Sequence, residues 1–70
     1  MPKFHGTATA YILSTLTRHA DREFRVSDLH ELCEGQYQKA NLVGALQRLA
    51  EAKRVVRIVE GPREVWWAIA

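Results

Sequence analysis

The side chains best suited to chemistry in this chain of 70 residues are two amides and a guanidinium that recur at helical spacing. They belong to one polar set, which consists of Asn41, Gly44, Gln47, Arg48 and Glu51. Amide and guanidinium groups form paired hydrogen bonds with base edges, and the guanidinium also pairs with phosphate. The polar set therefore predicts a surface that contacts nucleic acid, with Gln38 and Lys39 at the start of the same helix.

The other reactive residues do not form a catalytic or metal-binding pattern. His30 and Cys33 stand three positions apart, but no second pair of ligands accompanies them, as a structural zinc site would need. We interpret Cys33 as a small core residue and His30 as a surface residue. Because the sequence has no catalytic triad order, phosphate-binding loop or metalloprotease motif, we expect no enzymatic activity, no metal and no cofactor.

A helix is needed to position the polar set, and the residues between its members have the spacing of one. They form a stripe at intervals of three and four positions, made of Leu42, Leu46, Leu49 and Lys53 and widened by Val43 and Ala50. Such a stripe predicts an amphipathic helix with one face in a core. The polar set would then face away from that core.

Two small residues, Ala40 and Gly44, lie one helical turn apart on the predicted exposed side. They would leave a low ridge that allows close approach of a DNA backbone or of a second helix. The alternative is that both are merely tolerated small residues. This alternative explains Gly44 less well than Ala40, because glycine inside a helix costs about 1 kcal/mol relative to alanine.

After Ala52 the pattern changes from helical to extended. Two runs rich in β-branched and aromatic residues, 55–59 and 65–69, are separated by Glu60-Gly61-Pro62-Arg63. The glycine and proline of the separator predict a short turn, so the two runs should fold back on each other as a hairpin.

The hairpin contains adjacent tryptophans, whose side chains must point to opposite faces of a strand. We expect Trp67 in the core, with Val65 and Ile69 on the same face. Trp66 would then point outward, where it either lies over an arginine stem such as Arg57 or anchors a partner.

The first half of the chain predicts one helix before residue 20. Thr7 or Thr9 can cap its start, and the helix should end near His19. Its apolar stripe consists of Ile12, Leu13, Leu16 and Ala20, with Ala8, Ala10 and Tyr11 near the start.

A short strand and a second helix are predicted next. Phe24-Arg25-Val26 alternates as a very short strand that could join the hairpin as its third member. Ser27 can cap the helix that follows, and Gly35 should end it. Residues 35–38 then form the turn into the helix that carries the polar set.

The order of these elements, with Leu46, Leu49, Ala50 and Val55 followed by a turn and an aromatic strand, resembles the winged helix-turn-helix family in its MarR-like pattern. The resemblance implies an α+β fold with three helices and a small antiparallel sheet, in the order helix, strand, helix, helix, strand, wing, strand. Many members have a glycine where the third helix ends, whereas Ala52-Lys53-Arg54 stands there in this chain. We expect that helix to run longer or to end without a left-handed residue.

The wing is similar to that of the Z-alpha domains, in which Gly61-Pro62 and Trp67-Ala68-Ile69 have counterparts. The resemblance implies a lysine, an asparagine and a tyrosine on the third helix that read left-handed nucleic acid. Lys39 matches the lysine, but Val43 and Gln47 stand at the other two positions. Left-handed nucleic acid therefore stays a minor alternative ligand.

Charge and composition favour one small nucleic-acid-binding domain spanning residues 1–70. The net charge is +2, divided as −1 over residues 1–35 and +3 over residues 36–70, where the polar set and hairpin lie. One cysteine excludes an internal disulfide, and no run of apolar residues is long enough to cross a membrane, so we expect a cytoplasmic protein.

Together these features predict sequence-specific binding of double-stranded DNA by a small transcriptional regulator. Asn41, Gln47 and Arg48 would contact the major groove, while Arg57 and Arg63 would contact the backbone or minor groove. A homodimer is expected, because a core this small gains stability from pairing. The alternative function is a winged helix that binds a protein partner through Trp66 and the small ridge and never binds DNA.

Overall fold

The computed structural model describes residues 5–70 and contains three helices followed by a β-hairpin. The helices are α1 (Ala8–Arg18), α2 (Val26–Leu32) and α3 (Lys39–Glu51), and the strands are β1 (Val55–Val59) and β2 (Val65–Ile69). This α+β order confirms the predicted arrangement of the helices and the hairpin. The predicted single domain begins at residue 1, and residues 1–4 lie outside the described part of the chain.

Helix α1 begins and ends near the predicted residues. The Thr7 hydroxyl accepts a hydrogen bond from the backbone N–H of Ala10 at 3.2 Å, which satisfies one of the free donors at the helix start. The helix ends at Arg18, with His19 as its C-cap. Its predicted stripe is buried at Ile12 and Leu16, whereas Ala20 is exposed because it lies in the turn beyond the last helical residue.

Helix α2 begins earlier than predicted, and Ser27 does not cap it. The backbone N–H of Arg25 donates to Asp28 Oδ2 at 3.0 Å, and the Arg25 guanidinium lies 3.5 Å from the same oxygen. These contacts fix the start of the helix at Val26, so Ser27 lies inside the first turn. The hydrogen bond from the Arg25 backbone, reinforced by its guanidinium, lowers the pKa of the Asp28 carboxyl.

The predicted strand at residues 24–26 is reduced to a single bridge. Phe24 N–H donates to the Trp67 carbonyl at 2.8 Å, and Trp67 N–H donates to the Phe24 carbonyl at 2.7 Å. Val26 cannot extend this pairing because it is the first residue of α2. Among residues 5–70 the sheet therefore has two strands, with Phe24 as an isolated third position.

The end of α3 differs from the prediction, since it has a left-handed residue after all. Lys53 has a φ of 61°, its N–H donates to the Ala50 carbonyl at 3.0 Å, and Arg54 N–H donates to the Leu49 carbonyl at 2.8 Å. These two bonds form the Schellman arrangement, which usually has glycine at the left-handed position. Lys53 is also exposed beyond the helix, so the prediction that it belongs to the buried stripe is wrong.

Lys53→Gly is expected to stabilise the protein by about 0.5 to 1 kcal/mol, because glycine adopts a left-handed conformation without the steric cost of a Cβ atom. Urea denaturation monitored by circular dichroism measures the change. Lys53→Ala is the matched control, since it removes the same charge and keeps the Cβ atom. Equal stability of the glycine and alanine variants would contradict the strain assigned to this residue.

The core lies between the helices and the inner face of the hairpin. The strands pair antiparallel from Val55 opposite Ile69 to Val59 opposite Val65. Trp67 is only 4% exposed, as predicted, and its indole N–H has no hydrogen-bond partner within residues 5–70. The buried apolar residues are Tyr11, Ile12, Leu16, Phe24, Leu29, Leu42, Ala45, Leu46, Leu49, Val55 and Trp67.

Candidate nucleic-acid interface

The polar set lies on the side of α3 that faces away from the core. Leu42, Leu46 and Leu49 are buried, whereas Val43 and Ala50 at the edges of the stripe are half-buried. The exposed residues of the helix are Lys39, Ala40, Asn41, Gln47, Arg48 and Glu51. Gln38, the N-cap residue, is exposed as well. The helix thus presents amide and guanidinium groups to solvent, as its spacing predicts.

The exposed face of α3 and the start of α1 form an open cleft. Its lining residues are Thr7, Ala8, Thr9, Tyr37, Ala40, Asn41, Gly44 and Arg48. Three members of the polar set, Asn41, Gly44 and Arg48, therefore share one concave surface. Gln38, Lys39 and Gln47 are on the same helix outside the cleft lining, so the structure does not gather all of the predicted contact residues into one pocket.

Gly44 is one of the residues that line the cleft, and the protein itself does not require a glycine there. A Cβ atom built at this position meets nothing closer than Arg48 Nη2, at 4.0 Å. Alanine would therefore fit the folded chain and would favour the helix by about 1 kcal/mol. The internal packing around Gly44 gives no reason for the missing side chain.

A pair of tyrosines ties the start of α1 to the turn before α3. The Tyr37 hydroxyl donates to the Gly6 carbonyl at 2.6 Å, and its ring stacks on Tyr11 with the ring centroids 5.4 Å apart. The Tyr11 hydroxyl donates to the Leu29 carbonyl at 2.7 Å. These contacts hold the two walls of the cleft together. No local sequence signal identified Thr7, Thr9 or Tyr37 as lining residues, because their proximity to α3 is tertiary.

Burial raises the pKa of the Tyr11 phenol from 10.0 to about 12, with a smaller contribution from nearby Cys33. The folded state therefore holds a proton that the unfolded state releases between these two values. Stability from the neutral phenol is fully present below pH 10 and is lost as the pH rises through about 12.

We expect the free energy of unfolding to fall by on the order of 2 kcal/mol between pH 9.5 and 12, since one pKa unit corresponds to about 1.4 kcal/mol. Denaturant titrations at several pH values measure it. Tyr11→Phe should begin less stable by about 1 kcal/mol, because it lacks the hydroxyl bond, and should show a smaller alkaline loss. Parallel pH curves for the two proteins would contradict the assignment to Tyr11.

Electrostatically, the cleft combines one guanidinium with the start of a helix. Arg48 is the charged side chain among the residues that line it. The first N–H groups of α1 carry partial positive charge, which falls at Ala8 and Thr9 in the opposite wall. The described cleft surface therefore suits a negatively charged group.

The two residues predicted to contact the DNA backbone or minor groove lie on the hairpin. Arg57 is in the centre of β1, and Arg63 is in the connection between the strands, which Glu60 N–H closes by donating to the Glu64 carbonyl at 2.9 Å. Both arginines are exposed, but neither lines the cleft on α3. They belong to a separate part of the surface.

Trp66 points away from the core but is half-buried rather than fully exposed. The interpretation that an arginine lies over it is confirmed, but the guanidinium above its ring belongs to Arg25, at 5.0 Å from the centroid, and not to Arg57. Arg57 cannot take that place since it stands opposite Trp67 and so shares the other face of the hairpin.

Within residues 5–70, no three histidine, cysteine, aspartate or glutamate side chains are grouped closely enough to hold a metal ion. Cys33 Sγ is directed at the backbone carbonyl of His30, at 3.2 Å, and not at its ring. No helix in this part of the chain has the length and apolar character needed to cross a membrane.

The sequence matches no protein-family model and no curated protein, but the fold is shared with solved structures. A structure of HOP2, reported for its DNA recognition and protein interaction domains and for homologous DNA pairing, is similar with a TM-score of 0.80 and 23% identity over 90% of this chain and 98% of that chain. The ferric uptake regulator of Francisella tularensis, solved with iron, has a TM-score of 0.79 and 16% identity over 94% of this chain and 53% of that chain. Three helices and a hairpin with these neighbours constitute a winged-helix fold.

Proposed function

We propose that this winged helix binds double-stranded DNA, with α3 in the major groove and the hairpin connection against the phosphate backbone. The neighbours support a role of this kind, since one is reported for DNA recognition and the other is a regulator. The exposed amides and guanidinium of α3 supply the groups that pair with base edges. The protein acts in this proposal as a binding module and not as an enzyme.

The observation that carries the proposal is the glycine near the middle of α3, where the helix lines the cleft. Gly44 lowers helix stability, yet a Cβ atom there would meet no protein atom within van der Waals distance except the tip of Arg48. In this proposal the space accommodates something outside the chain. A DNA backbone or base edge that approaches the helix closely gives the missing side chain a purpose.

The residues divide into two kinds of contact. Asn41, Gln47 and Arg48 read base edges, because their planar groups form paired hydrogen bonds. The backbone contacts come from Gln38 and Lys39 at the start of α3 and from Arg57 and Arg63 on the hairpin. The positive start of α1 adds to this second group across the cleft. In this proposal the base contacts give the binding its sequence specificity, and the protein acts as a small transcriptional regulator.

Arg63→Ala should weaken binding to every duplex and should flatten the slope of log affinity against log salt by about 1, because one phosphate contact releases about one counterion. Fluorescence anisotropy with random and selected duplexes at several salt concentrations provides the measurement. Arg18→Ala is the matched control, since Arg18 is an exposed arginine in the last turn of α1, whose opposite end lines the cleft.

The control should leave the salt slope nearly unchanged. If the wild-type protein binds no duplex at low salt, the DNA proposal is wrong and the protein-binding alternative replaces it. If Arg63→Ala and Arg18→Ala change the slope equally, the salt dependence reflects the net charge of the protein. The hairpin connection then makes no defined phosphate contact.

A further inference from the structure

The outer edge of β1 is unpaired within residues 5–70. Ala70 N–H donates to the Arg54 carbonyl at 3.2 Å, and Glu60 N–H donates to the Glu64 carbonyl at 2.9 Å. In an antiparallel ladder the bonded positions alternate, so the even-numbered residues of β1 bond to β2. The backbone groups of Arg57 and Val59 consequently point away from the hairpin.

The other side of the sheet supports the same alternation. Trp67 stands opposite Arg57, and its backbone bonds go to Phe24 and not to Arg57. At Trp67, β2 is therefore paired with a residue on each side, whereas β1 is paired on one side only. Among residues 5–70, no residue pairs with the outer edge of β1, whereas β2 has one bridge on its outer side, at Trp67.

This edge lacks most of the features that protect exposed strands. Val56 and Val59 are 45% and 58% exposed, and the strand has no proline, no lysine and no acidic residue between Val55 and Val59. Natural edges are commonly blocked by such residues or by bulges, and Arg57 is the single charged residue here. The register is continuous without a bulge.

The outer face next to the edge is also apolar. Val56 stands opposite Ala68, and Ile58 stands opposite Trp66, so these four side chains share the face that points away from the core. A strand added at the edge would extend this face and cover Val56 and Ile58 from the side. Apolar residues at alternate positions are suited to such an addition.

We propose that β1 pairs antiparallel with β1 of a second copy of this chain, around a two-fold axis at Arg57. The pairing forms a four-stranded sheet in which Val56 lies beside Ile58 of the second copy and Val55 lies beside Val59. Because the axis is normal to the sheet, both helical layers lie on the same side of it.

Charge complementarity selects a second copy and this register. Arg54 and Glu60 flank the strand at equal distances from Arg57, so the two-fold axis places each Arg54 against Glu60 of the other copy. Moving the axis to Val55 or Val59 would break both ion pairs and shorten the apolar overlap. An unrelated peptide would need to supply the same charges in the same order.

One contact opposes the pairing, because the two Arg57 side chains lie beside each other at the axis. The strand is also only five residues long, so the interface is smaller than the standard one of about 800 Å² per partner. We therefore expect a reversible dimer that exchanges rapidly and forms at micromolar or higher concentrations. This proposal does not depend on DNA binding.

Sedimentation velocity over a range of protein concentrations, without DNA, tests the proposal. Wild-type protein should show a reversible monomer–dimer equilibrium, and Val56→Lys should shift it to monomer. Leu32→Lys is the matched control, because Leu32 is 48% exposed, close to the 45% of Val56, but lies at the end of α2 outside the sheet. It should leave the equilibrium unchanged.

A charge exchange tests the register without altering the apolar contacts. Glu60→Lys should weaken self-association about 3- to 30-fold, because it replaces both ion pairs with repulsion, and adding Arg54→Glu in the same chain should restore it. Arg57→Thr should strengthen it by removing the like-charged contact. Circular dichroism confirms that each variant is folded.

A wild-type protein that stays monomeric up to about millimolar concentration would overturn the proposal. So would a dimer that is insensitive to both Val56→Lys and Glu60→Lys, since it would use another surface. Because these experiments contain no DNA, their failure leaves the proposed function intact, and the anisotropy experiments can fail while the dimer is observed.

Discussion

Arg48→Ala is expected to weaken binding to the preferred duplex by about 1 to 3 kcal/mol, or roughly 5- to 150-fold, with a smaller loss on random duplexes. Arg48 is exposed on α3 and lines the same cleft as Asn41. A guanidinium in that position can form two hydrogen bonds with a base edge, which carry sequence information that a phosphate contact does not. Anisotropy titrations against both kinds of duplex give the two losses.

Two control variants separate base recognition by Arg48 from the general effect of its positive charge. Arg48→Lys keeps the positive charge but cannot form the planar pair of bonds, so it should retain binding to random duplexes and lose preference for the selected one. Arg18→Ala removes the same charge from the far end of α1 and should have little effect on preference. Equal losses on selected and random duplexes for Arg48→Ala would show that this residue holds phosphate and reads no base.

Trp67→Ala is expected to remove a large part of the protein's free energy of unfolding. The residue is 4% exposed and fills the core between the hairpin and the helices, so its truncation should cost about 3 to 5 kcal/mol. A chain of 70 residues has a total stability of roughly 4 to 10 kcal/mol. Thermal denaturation and the dispersion of amide signals in NMR spectra report the loss.

The neighbouring residue provides the control for this prediction. Trp66→Ala removes the same side chain from the opposite face, where it is half-buried under Arg25, and should cost about 1 kcal/mol. Trp67→Phe should retain much of the stability, because the indole N–H makes no hydrogen bond within residues 5–70 and the ring volume is partly kept. A folded Trp67→Ala protein with unchanged stability would contradict the assignment of the core.

Periodicity predicted the elements whose signals are local. The leucines of α3 and the β-branched runs on either side of the turn were sufficient to predict the helix and the hairpin, because helix and strand differ in the spacing of their buried residues. The predicted start of α2 was wrong because two different residues, Arg25 and Ser27, could occupy the N-cap position. Ser27 had the right chemistry, but the Asp28 carboxylate accepts from the Arg25 backbone and fixes the earlier start.

Contacts between distant parts of the chain were less accessible to prediction. The third sheet position was predicted at Phe24, but its pairing is limited to one bridge with Trp67 because α2 begins two residues later. The left-handed conformation of Lys53 was not predicted, since no glycine stands there to indicate it. The Phe24 bridge is fixed by tertiary packing, whereas the conformation of Lys53 is fixed by the local hydrogen bonds that end α3.

The candidate interface was predicted in part for the same reason. Helical spacing was enough to place Asn41, Gly44 and Arg48 together on one face. It could not show that the start of α1 forms the facing wall, because Tyr37 holds that wall through a bond to Gly6 far away in sequence. The contacts from Arg57 and Arg63 on the hairpin remain predictions. Whether they reach the same DNA molecule as α3 depends on the shape of the bound DNA.

Gly44 also has a consequence for how this sequence can change over evolutionary time. A single substitution to alanine would fit the folded chain and make it more stable, by about 1 kcal/mol, so random mutation combined with selection for stability alone would replace the glycine. Selection on binding opposes that replacement while something outside the protein needs the space. Among descendants of this chain, we therefore expect alanine at this position to appear first in those that have abandoned the function of this face.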